Sequence, residues 1–339
     1  MNIQDFYSKC IQCPRKCGVN RKTESGFCKE PEDLRIAFAG LHYGEEPLIT
    51  VFGGSGTIFF TGCTLRCAFC QNYQISQNGM GKIVSIEEFA EICLKLQNAG
   101  AENINLVTGS HHIPKIAEGI KAAKKAGVTI PFCWNSSGYE TVEMLELLKG
   151  LVTIWLPDLK TLNSDFSKKL FGAPDYGESA IKAIEWMIEN NPLEIEEIPC
   201  PENARPVEWA EPGEPREKMT SGVIIRHLFM PGHFEDTAEV LQWYKEKGDG
   251  KAILSLMNQY TPVKFEEDEN KTIQRKKALE NIENRLVNQQ EFNDLQDLLE
   301  VYDFDFLYYQ ELTDDTSWLP DFRRPQPFSN SLAKPIWHW

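Results

Sequence analysis

The stretch GTIFFTGCTLRCAFC (56–70) joins an apolar run, typical of a buried strand, to three cysteines with the spacing CxxxCxxC. The glycine-bounded apolar run predicts a strand over 56–62. Five more strands, each followed by a helical pattern, are predicted at 103–108, 128–134, 152–157, 222–230 and 251–257. Strands and helices that alternate in this way predict an α/β fold with a parallel sheet, built as a partial (β/α)6 TIM-like barrel. A doubly wound open sheet is the competing topology.

Helix boundary signals support this alternation. Ser85-Ile-Glu-Glu88 is a capping box and predicts a helix that ends near Gly100. Pro114 suits the first turn of the next helix, and Gly127 suits its end. Further helices are predicted at 141–150, 164–171, 178–190 and 235–246.

Composition shifts divide the chain into three parts. Residues 1–40 are polar and cysteine-rich, and they predict a small metal-organised cap. Residues 41–262 form the predicted barrel core, in which 191–220, with six prolines and eight glutamates, is a surface insertion. Residues 263–339 predict a C-terminal extension, first helical and then extended. Its end, Trp-His-Trp, is expected to pack back on the body because exposed tryptophans are a liability.

Charge excludes some partners. The chain has 339 residues with 50 acids and 35 bases, a net charge of −15. Such a field repels polyphosphate, so we expect no nucleic-acid partner. No apolar run reaches the roughly 18 residues of a membrane helix. The start MNIQDFYSKC contains an acid and no apolar core, unlike a signal peptide. We therefore expect a cytoplasmic protein with no membrane partner.

The ten cysteines are clustered. In a reducing compartment clustered thiols indicate metal ligands or catalytic groups rather than disulfides. Three of them, the loop cysteines Cys63, Cys67 and Cys70, follow the first predicted strand. Three thiolates at this spacing can bind three irons of a cubane cluster and leave the fourth iron open to a small molecule. A zinc site or a fortuitous triple is the alternative.

Four more, the cap cysteines, fall within the first 28 residues, at Cys10, Cys13, Cys17 and Cys28. Four thiols complete a tetrahedral ligand set, so they predict a second metal site. Structural zinc and a second iron–sulfur cluster that relays electrons are both open at this point, as is a set of surface thiols without metal.

The loop cysteines resemble the motif of the radical S-adenosylmethionine (SAM) superfamily. That resemblance implies a [4Fe–4S] cluster on Cys63, Cys67 and Cys70 whose open iron chelates the amino and carboxylate groups of SAM. Reductive cleavage of SAM then gives a 5′-deoxyadenosyl radical, an oxidoreductase activity. Phe69 matches an aromatic position near the SAM adenine in that superfamily.

Polar residues at the ends of later strands are candidates for SAM binding, because barrel active sites lie at the carboxyl ends of strands. Thr108-Gly-Ser-His-His112 occupies the place of a stretch that meets the SAM amino group in the superfamily, although only Gly109 matches it. His111 and His112 are acid–base candidates or polar loop residues. Asn135 and Ser137 could hydrogen-bond the ribose hydroxyls, or they form an ordinary turn.

Two later sequence elements resemble elements found in the superfamily branch of pyruvate formate-lyase activating enzyme. Asp158-Leu-Lys160 matches an Asp-x-Lys element that contacts SAM there, and a surface charge pair is the alternative. Arg226, inside an apolar strand, matches an arginine beside the SAM carboxylate, and a buried ion pair to Asp158 is the alternative. His227 is expected to be structural. His233 and the run Met257-Asn-Gln-Tyr260 are weaker candidates for the mouth of the barrel.

The branch resemblance implies a partner. Its activating enzymes abstract a hydrogen from a glycine of a partner enzyme and take electrons from a reductant such as flavodoxin or ferredoxin. In this chain the extra cysteines precede the SAM motif, which departs from that branch. Two further hypotheses therefore remain: radical modification of another peptide or small molecule, and a non-catalytic iron–sulfur electron carrier.

Overall fold

The computed structural model describes residues 3–202, 211, 213–266, 269–329 and 331–339. The strands in these residues are β1 Arg35–His42, β2 Ser55–Phe60, β3 Lys82–Ile83, β4 Ile104–Val107, β5 Phe132–Ser136, β6 Ile154–Pro157, β7 Glu194–Ile198, β8 Arg216–Leu228, β9 Ile253–Met257, β10 Leu307–Tyr309 and β11 Ala333–His338. The helices are α1 Ile3–Ser8, α2 Tyr73–Ser76, α3 Ile86–Asn98, α4 Ile113–Lys125, α5 Val142–Leu145, α6 Ser164–Phe171, α7 Tyr176–Asn190, α8 Phe234–Lys247, α9 Glu269–Leu279 and α10 Gln289–Tyr302.

The six predicted strands are present as β2, β4, β5, β6, β8 and β9. They lie side by side in that order, and each neighbouring pair is parallel. Every crossover therefore moves the chain in the same direction around the sheet. A doubly wound sheet reverses its strand order part-way, so the partial barrel is confirmed. In the described residues the barrel stays open, with β10 at one edge and β11 at the other.

Both ends of the sheet gain strands that the sequence pattern did not predict. β1 runs antiparallel to β2, and β11 from the C-terminal tail runs antiparallel to β1. The tail therefore packs back on the body through β11, as predicted, but Trp339 at its end stays 46% exposed, contrary to the expectation. Strand β10 extends the other edge parallel to β9.

Local signals set the helices, with two corrections. The Ser85 capping box is formed and opens α3, as predicted. The predicted helix 141–150 is wrong beyond its first turn: α5 ends at Leu145, and the chain then turns to bury Leu148 before β6. The predicted insertion is not a plain loop either, since β7 pairs antiparallel with the first half of β8. Residues 203–210 and 212 of that segment lie outside the described residues.

Four apolar clusters form in the described residues, and two of them frame the barrel. The larger lies between the sheet and helices such as α3, α4 and α7. The smaller fills the inside of the barrel with Cys133, Leu156 and Ile224, and Leu48 and Ile49 from the β1–β2 connection join it. That connection lies at the amino end of β2, so it plugs one end of the barrel. The carboxyl ends of the strands remain for the site. No helix in the described parts of the chain is long and apolar enough to cross a membrane.

Candidate active site

The loop between β2 and α2 carries the loop cysteines at the carboxyl end of the sheet. Cys63 and Cys67 are buried, and Cys70 is half-buried. Hydrogen bonds from several elements fix this loop. The Ala68 amide donates to the Leu170 carbonyl (2.9 Å), Gln77 donates to the Cys67 carbonyl (2.9 Å), and Arg275 of α9 donates to the Ala68 carbonyl (2.7 Å). The three thiols therefore sit on a braced loop rather than a free one.

The loop thiols act on one another. Burial raises the pKa of Cys63 and of Cys67, and negative charge on neighbouring loop cysteines raises each further. The positive charge of Lys160 lowers the pKa of both thiols. The sulfurs are thus close neighbours beside a cation, an environment that suits thiolate ligands of an iron–sulfur cluster.

The number of thiols fits a cubane cluster with one open iron. Each thiolate of a cubane binds a different iron, so three thiolates leave the fourth iron free for another ligand. No group of three or more His, Cys, Asp or Glu side chains in the described residues is arranged to hold a metal ion. The loop cysteines are therefore candidate ligands of a [4Fe–4S] cluster by their chemistry and spacing.

Asp158 and Lys160 lie just beyond β6 and pair with each other, Lys160 Nζ to Asp158 Oδ2 at 2.5 Å. Their side chains are 24% and 20% exposed, so this is not a surface charge pair. Burial alone would lower the pKa of Lys160, but the charges of Asp158 and Cys67 raise it instead. Lys160 therefore stays cationic between the carboxylate and the cysteine loop.

Tyr176 of α7 orders this pair, and the sequence analysis missed it. Its hydroxyl accepts the Lys160 amide (2.9 Å) and lies within hydrogen-bond distance of the carbonyls of Ser137 (2.9 Å) and Asp158 (2.8 Å). One buried hydroxyl thus links the ends of β5 and β6. A tyrosine in an amphipathic helix carries no local signal for such a role.

A small cavity of about 10 Å³ lies beside the cysteine loop. Phe69 is half-buried at this cavity, with its ring 6.4 Å from that of Phe171 and 6.2 Å from that of Tyr260. Except for Lys160, the walls are apolar. The lining residues include Phe69, Lys160, Phe166, Phe171, Leu228 and Met230. The space holds about one water molecule, so it shows that Phe69 and Lys160 line one recess beside the cysteine loop.

Thr108 and Asn135 meet at the ends of β4 and β5. The Thr108 amide donates to the Asn135 carbonyl at 2.8 Å. Thr108 adopts φ +61°, a left-handed conformation that is costly for a β-branched residue and that collects at functional sites. Thr108, Asn135 and Ser137 are all half-buried at this end of the sheet.

Arg226 does not point to an open anion site. Its Nε and Nη2 donate to Glu46 (2.8 Å) and Glu45 (2.9 Å), two buried carboxylates from the β1–β2 connection. Burial would lower the pKa of Arg226, but Glu46 and Glu45 raise it. The ion pair to Asp158 is not formed, since Asp158 and Arg226 meet only as backbone neighbours and the Asp158 carboxylate pairs with Lys160. The acids lie some 180 residues from Arg226 in the chain, so no local pattern links them.

The paired histidines serve the cap rather than acid–base chemistry. Burial lowers the pKa of His111 to about 3, and its Nε2 donates to the Thr61 carbonyl at 2.7 Å. His112 is buried beside Arg21, with Arg21 Nη2 3.4 Å from His112 Nε2. Both rings are therefore neutral and structural.

The other mouth candidates are also held by structural contacts. His227 hydrogen-bonds the Leu159 carbonyl (2.6 Å) and Thr237 (2.9 Å), as expected for a structural residue. His233 donates to the Asn281 carbonyl (2.9 Å). Tyr260 donates to Asn284 (2.6 Å), so the run 257–260 braces the C-terminal extension.

Glu140 is a second residue that the sequence analysis missed. It is buried after β5, and Ser110 donates a hydrogen bond to its carboxylate. Burial raises the pKa of Glu140 to about 7, the Ser110 hydrogen bond lowers it and the Asp158 charge raises it. Perturbed pKa values of this kind cluster at functional sites, so the raised pKa of Glu140 supports a site at this end of the sheet.

The cap cysteines lie against the cysteine loop. Three of them are buried, and Cys17 is exposed. Burial lowers the pKa of Arg66 in the cysteine loop, while charge on Cys63 and on Cys28 raises it. The Arg66 guanidinium is therefore near members of both cysteine sets.

A family model of the radical SAM superfamily matches residues 57–193. An uncharacterised protein of Methanocaldococcus jannaschii is 30% identical over 312 residues, which cover 90% of this chain and 78% of that protein. The chain belongs to the radical SAM superfamily. It is a radical SAM enzyme, and the cofactors of that family are a [4Fe–4S] cluster and SAM.

More distant similarities add little to this assignment. The crystal structure of SuiB from Streptococcus suis is 12% identical with a TM-score of 0.45, covering 75% of this chain and 48% of SuiB. The hydrogenase maturase HydG from Carboxydothermus hydrogenoformans is 16% identical with a TM-score of 0.42, covering 80% of this chain and 60% of HydG. The chain thus spans about half the length of SuiB, and TM-scores this low support no inference about activity.

Proposed function

We propose that this radical SAM enzyme cleaves SAM reductively and abstracts a hydrogen atom from a glycyl residue of a partner protein. The observation that carries the proposal is the braced three-cysteine loop with Lys160 and Asp158 against it. A cluster held by three thiolates, when bound, supplies one electron to the SAM sulfonium and an iron for the SAM amino and carboxylate groups.

The chain's own residues divide the remaining tasks. Cys63, Cys67 and Cys70 hold the cluster. Lys160 places a fixed positive charge beside the thiolates, and Asp158 keeps that charge oriented and can accept a ribose or ammonium hydrogen bond. Thr108, Asn135 and Ser137 supply further polar groups toward the ribose. Phe69 and its aromatic neighbours exclude water from the radical, which would otherwise be lost to side reactions.

The choice of a glycyl residue follows the resemblance of Asp158-Leu-Lys160 to the element that contacts SAM in the activating enzymes. In this chain the pair lies beside the cysteine loop, the place that such a contact requires.

Isotope transfer tests the proposal. Pyruvate formate-lyase labelled with α-deuterated glycine is the probe partner, incubated anaerobically with the reconstituted chain, SAM and reduced flavodoxin. The expected result is deuterium in 5′-deoxyadenosine and a glycyl radical signal in electron paramagnetic resonance, both absent in Cys67→Ala. Formation of 5′-deoxyadenosine without deuterium would reject this glycyl substrate while leaving SAM cleavage intact.

A further inference from the structure

We propose that the cap cysteines, Cys10, Cys13, Cys17 and Cys28, hold a second iron–sulfur cluster that delivers electrons to the cluster on the loop cysteines. The electron-delivery half of this inference rests on the reductive SAM cleavage proposed above. The presence of the second cluster does not, because it can be measured without SAM.

The cap cysteines form one thiol set. All ten cysteines lie in the described residues, and none is in a disulfide. A Cβ added to Gly26 would lie 2.7 Å from the Cys17 sulfur, so the backbone beside Cys28 is packed on Cys17. The Gly18 amide, next to Cys17, donates to the Cys10 carbonyl at 2.9 Å, and the Cys10 amide donates to the Val19 carbonyl at 2.9 Å. The Lys16 amide donates to the Cys13 carbonyl at 3.0 Å, so the segments that carry Cys10, Cys13 and Cys17 fold into one unit.

The surroundings favour iron–sulfur over zinc. Four thiolates can bind either one zinc ion or the four irons of a cubane. The cap backbone contacts the loop that carries Cys63, the cluster site under the proposal above. A second cluster at this place can pass electrons to the first, whereas zinc has no redox chemistry.

The two sets are joined through backbone contact. Gly62, immediately before Cys63, adopts φ +85°, and a Cβ there would lie 2.9 Å from the Cys28 carbonyl oxygen. Arg15, between Cys13 and Cys17, donates to the Thr64 carbonyl in the cysteine loop at 3.0 Å. The cap segment that carries Cys10 to Cys28 is therefore in contact with the loop that carries Cys63, Cys67 and Cys70.

Arg66 supplies an independent observation. Its Nη1 is buried and has no hydrogen-bond partner in the described residues. A buried guanidinium nitrogen without an acceptor is costly, so it requires an explanation. Its guanidinium lies near Cys63 and Cys28, where sulfides or thiolates of a bound cluster could accept its hydrogen.

The electron balance is simple. A reduced flavodoxin or ferredoxin gives up one electron, and the cap cluster goes from the 2+ to the 1+ state. The cap cluster returns to 2+ as the loop cluster is reduced from 2+ to 1+. That electron then enters the SAM sulfonium and breaks one carbon–sulfur bond, giving methionine and the 5′-deoxyadenosyl radical.

The first test measures metal in the full chain with Cys63→Ala, Cys67→Ala and Cys70→Ala combined. After anaerobic reconstitution with both iron and zinc on offer, the proposal predicts about four irons and four sulfides per chain. On reduction this variant should show a [4Fe–4S]⁺ resonance that added SAM does not change. About one zinc per chain, or no metal, would overturn the second cluster.

The second test uses the wild-type chain, so it does not depend on a variant folding. It should bind about eight irons, and full reduction should give two [4Fe–4S]⁺ signals broadened by magnetic interaction. Cys200→Ala, a lone cysteine in the β7–β8 segment, is the matched control and should leave the iron content unchanged. About four irons in the wild-type chain would contradict the proposal.

The third test asks whether the cap cluster passes electrons to the loop cluster. In a Cys13→Ser/Cys17→Ser variant, SAM cleavage driven by flavodoxin should fall at least about tenfold relative to cleavage driven by dithionite. Dithionite can reach the loop cluster directly, so the ratio reports the relay. An unchanged ratio of flavodoxin-driven to dithionite-driven cleavage would overturn the electron relay. The iron count of the first test would still decide whether the second cluster is present.

Discussion

The hydroxyl of Tyr176 accepts a hydrogen bond from the backbone amide of Lys160 at 2.9 Å. The same hydroxyl lies 2.8 Å from the Asp158 carbonyl oxygen. The segment that carries the Asp158–Lys160 ion pair is therefore held at its backbone by a residue of α7. Backbone support of this kind positions the two side chains, which lie 2.5 Å apart at Lys160 Nζ and Asp158 Oδ2.

Tyr176→Phe should weaken SAM binding without removing any group that contacts SAM. Losing a buried hydrogen bond costs about 1–3 kcal/mol and frees the Lys160 backbone. The free energy of unfolding should fall by that amount, and SAM affinity should fall with it. Tyr139→Phe is the matched control, because that hydroxyl binds Asp175 at 2.8 Å and should affect stability alone. Equal SAM affinities in the two variants would contradict the positioning role.

Asp158→Ala should weaken SAM affinity about 10- to 100-fold, since a charged hydrogen bond contributes roughly 1.5–3 kcal/mol. Equilibrium binding of SAM to the anaerobic reconstituted protein measures it. The half-buried position of Asp158 makes a folding check necessary, and far-ultraviolet circular dichroism supplies it. A folded variant with wild-type SAM affinity would remove Asp158 from the SAM site.

Arg226→Ala should destabilise the fold rather than act on SAM. It leaves the buried carboxylates Glu45 and Glu46 without their cation, and breaking such a pair costs about 3–5 kcal/mol. Urea denaturation measures the loss. Adding Glu45→Gln and Glu46→Gln to Arg226→Ala should recover part of it, because no unpaired charge remains. A stable Arg226→Ala protein with weakened SAM binding would instead support the arginine–carboxylate contact of the related branch.

Glu140 should make stability fall as pH rises toward neutrality. Burial raises the pKa of Glu140 from 4.5 to about 7, so between these values the folded chain holds a proton that the unfolded chain has lost. Glu30 and Asp236 shift in the same direction, to about 7 and about 6, so the comparison must be with a variant. Urea denaturation of Glu140→Gln between pH 5.5 and 8 should show a shallower decline than wild type. Parallel curves would place the ionisation of Glu140 outside this range.

The cysteine triplet and the order of the barrel strands were readable from the sequence because both are local patterns. The spacing of the cysteines shows which thiols share a loop. An apolar run bounded by glycine predicts a strand, and a capping box predicts the start of a helix. The prediction failed at 141–150, where the chain leaves the helix after Leu145 and turns toward Gly150, which adopts φ +71°. Helix propensity is a weak signal that tertiary context overrides.

Long-range partners were not readable. Glu45 and Glu46 reach Arg226 across 180 residues, and β11 pairs with β1 from the far end of the chain. Nothing in the local composition of either segment specifies its partner, since burial and register are decided by the assembled sheet. Arg226 was assigned to SAM because of its position in the resembled family. The Glu45 and Glu46 side chains that bind it here lie in the β1–β2 connection, which has no strand or helix pattern.

Formation of 5′-deoxyadenosine decides whether this chain cleaves SAM reductively on the loop cysteines. The chain is reconstituted anaerobically with iron and sulfide, then incubated with SAM and dithionite, and products are quantified by chromatography. We expect 5′-deoxyadenosine and methionine in equal amounts, dependent on the reductant and abolished in Cys67→Ala. Equal product from wild type and from folded Cys67→Ala would contradict it.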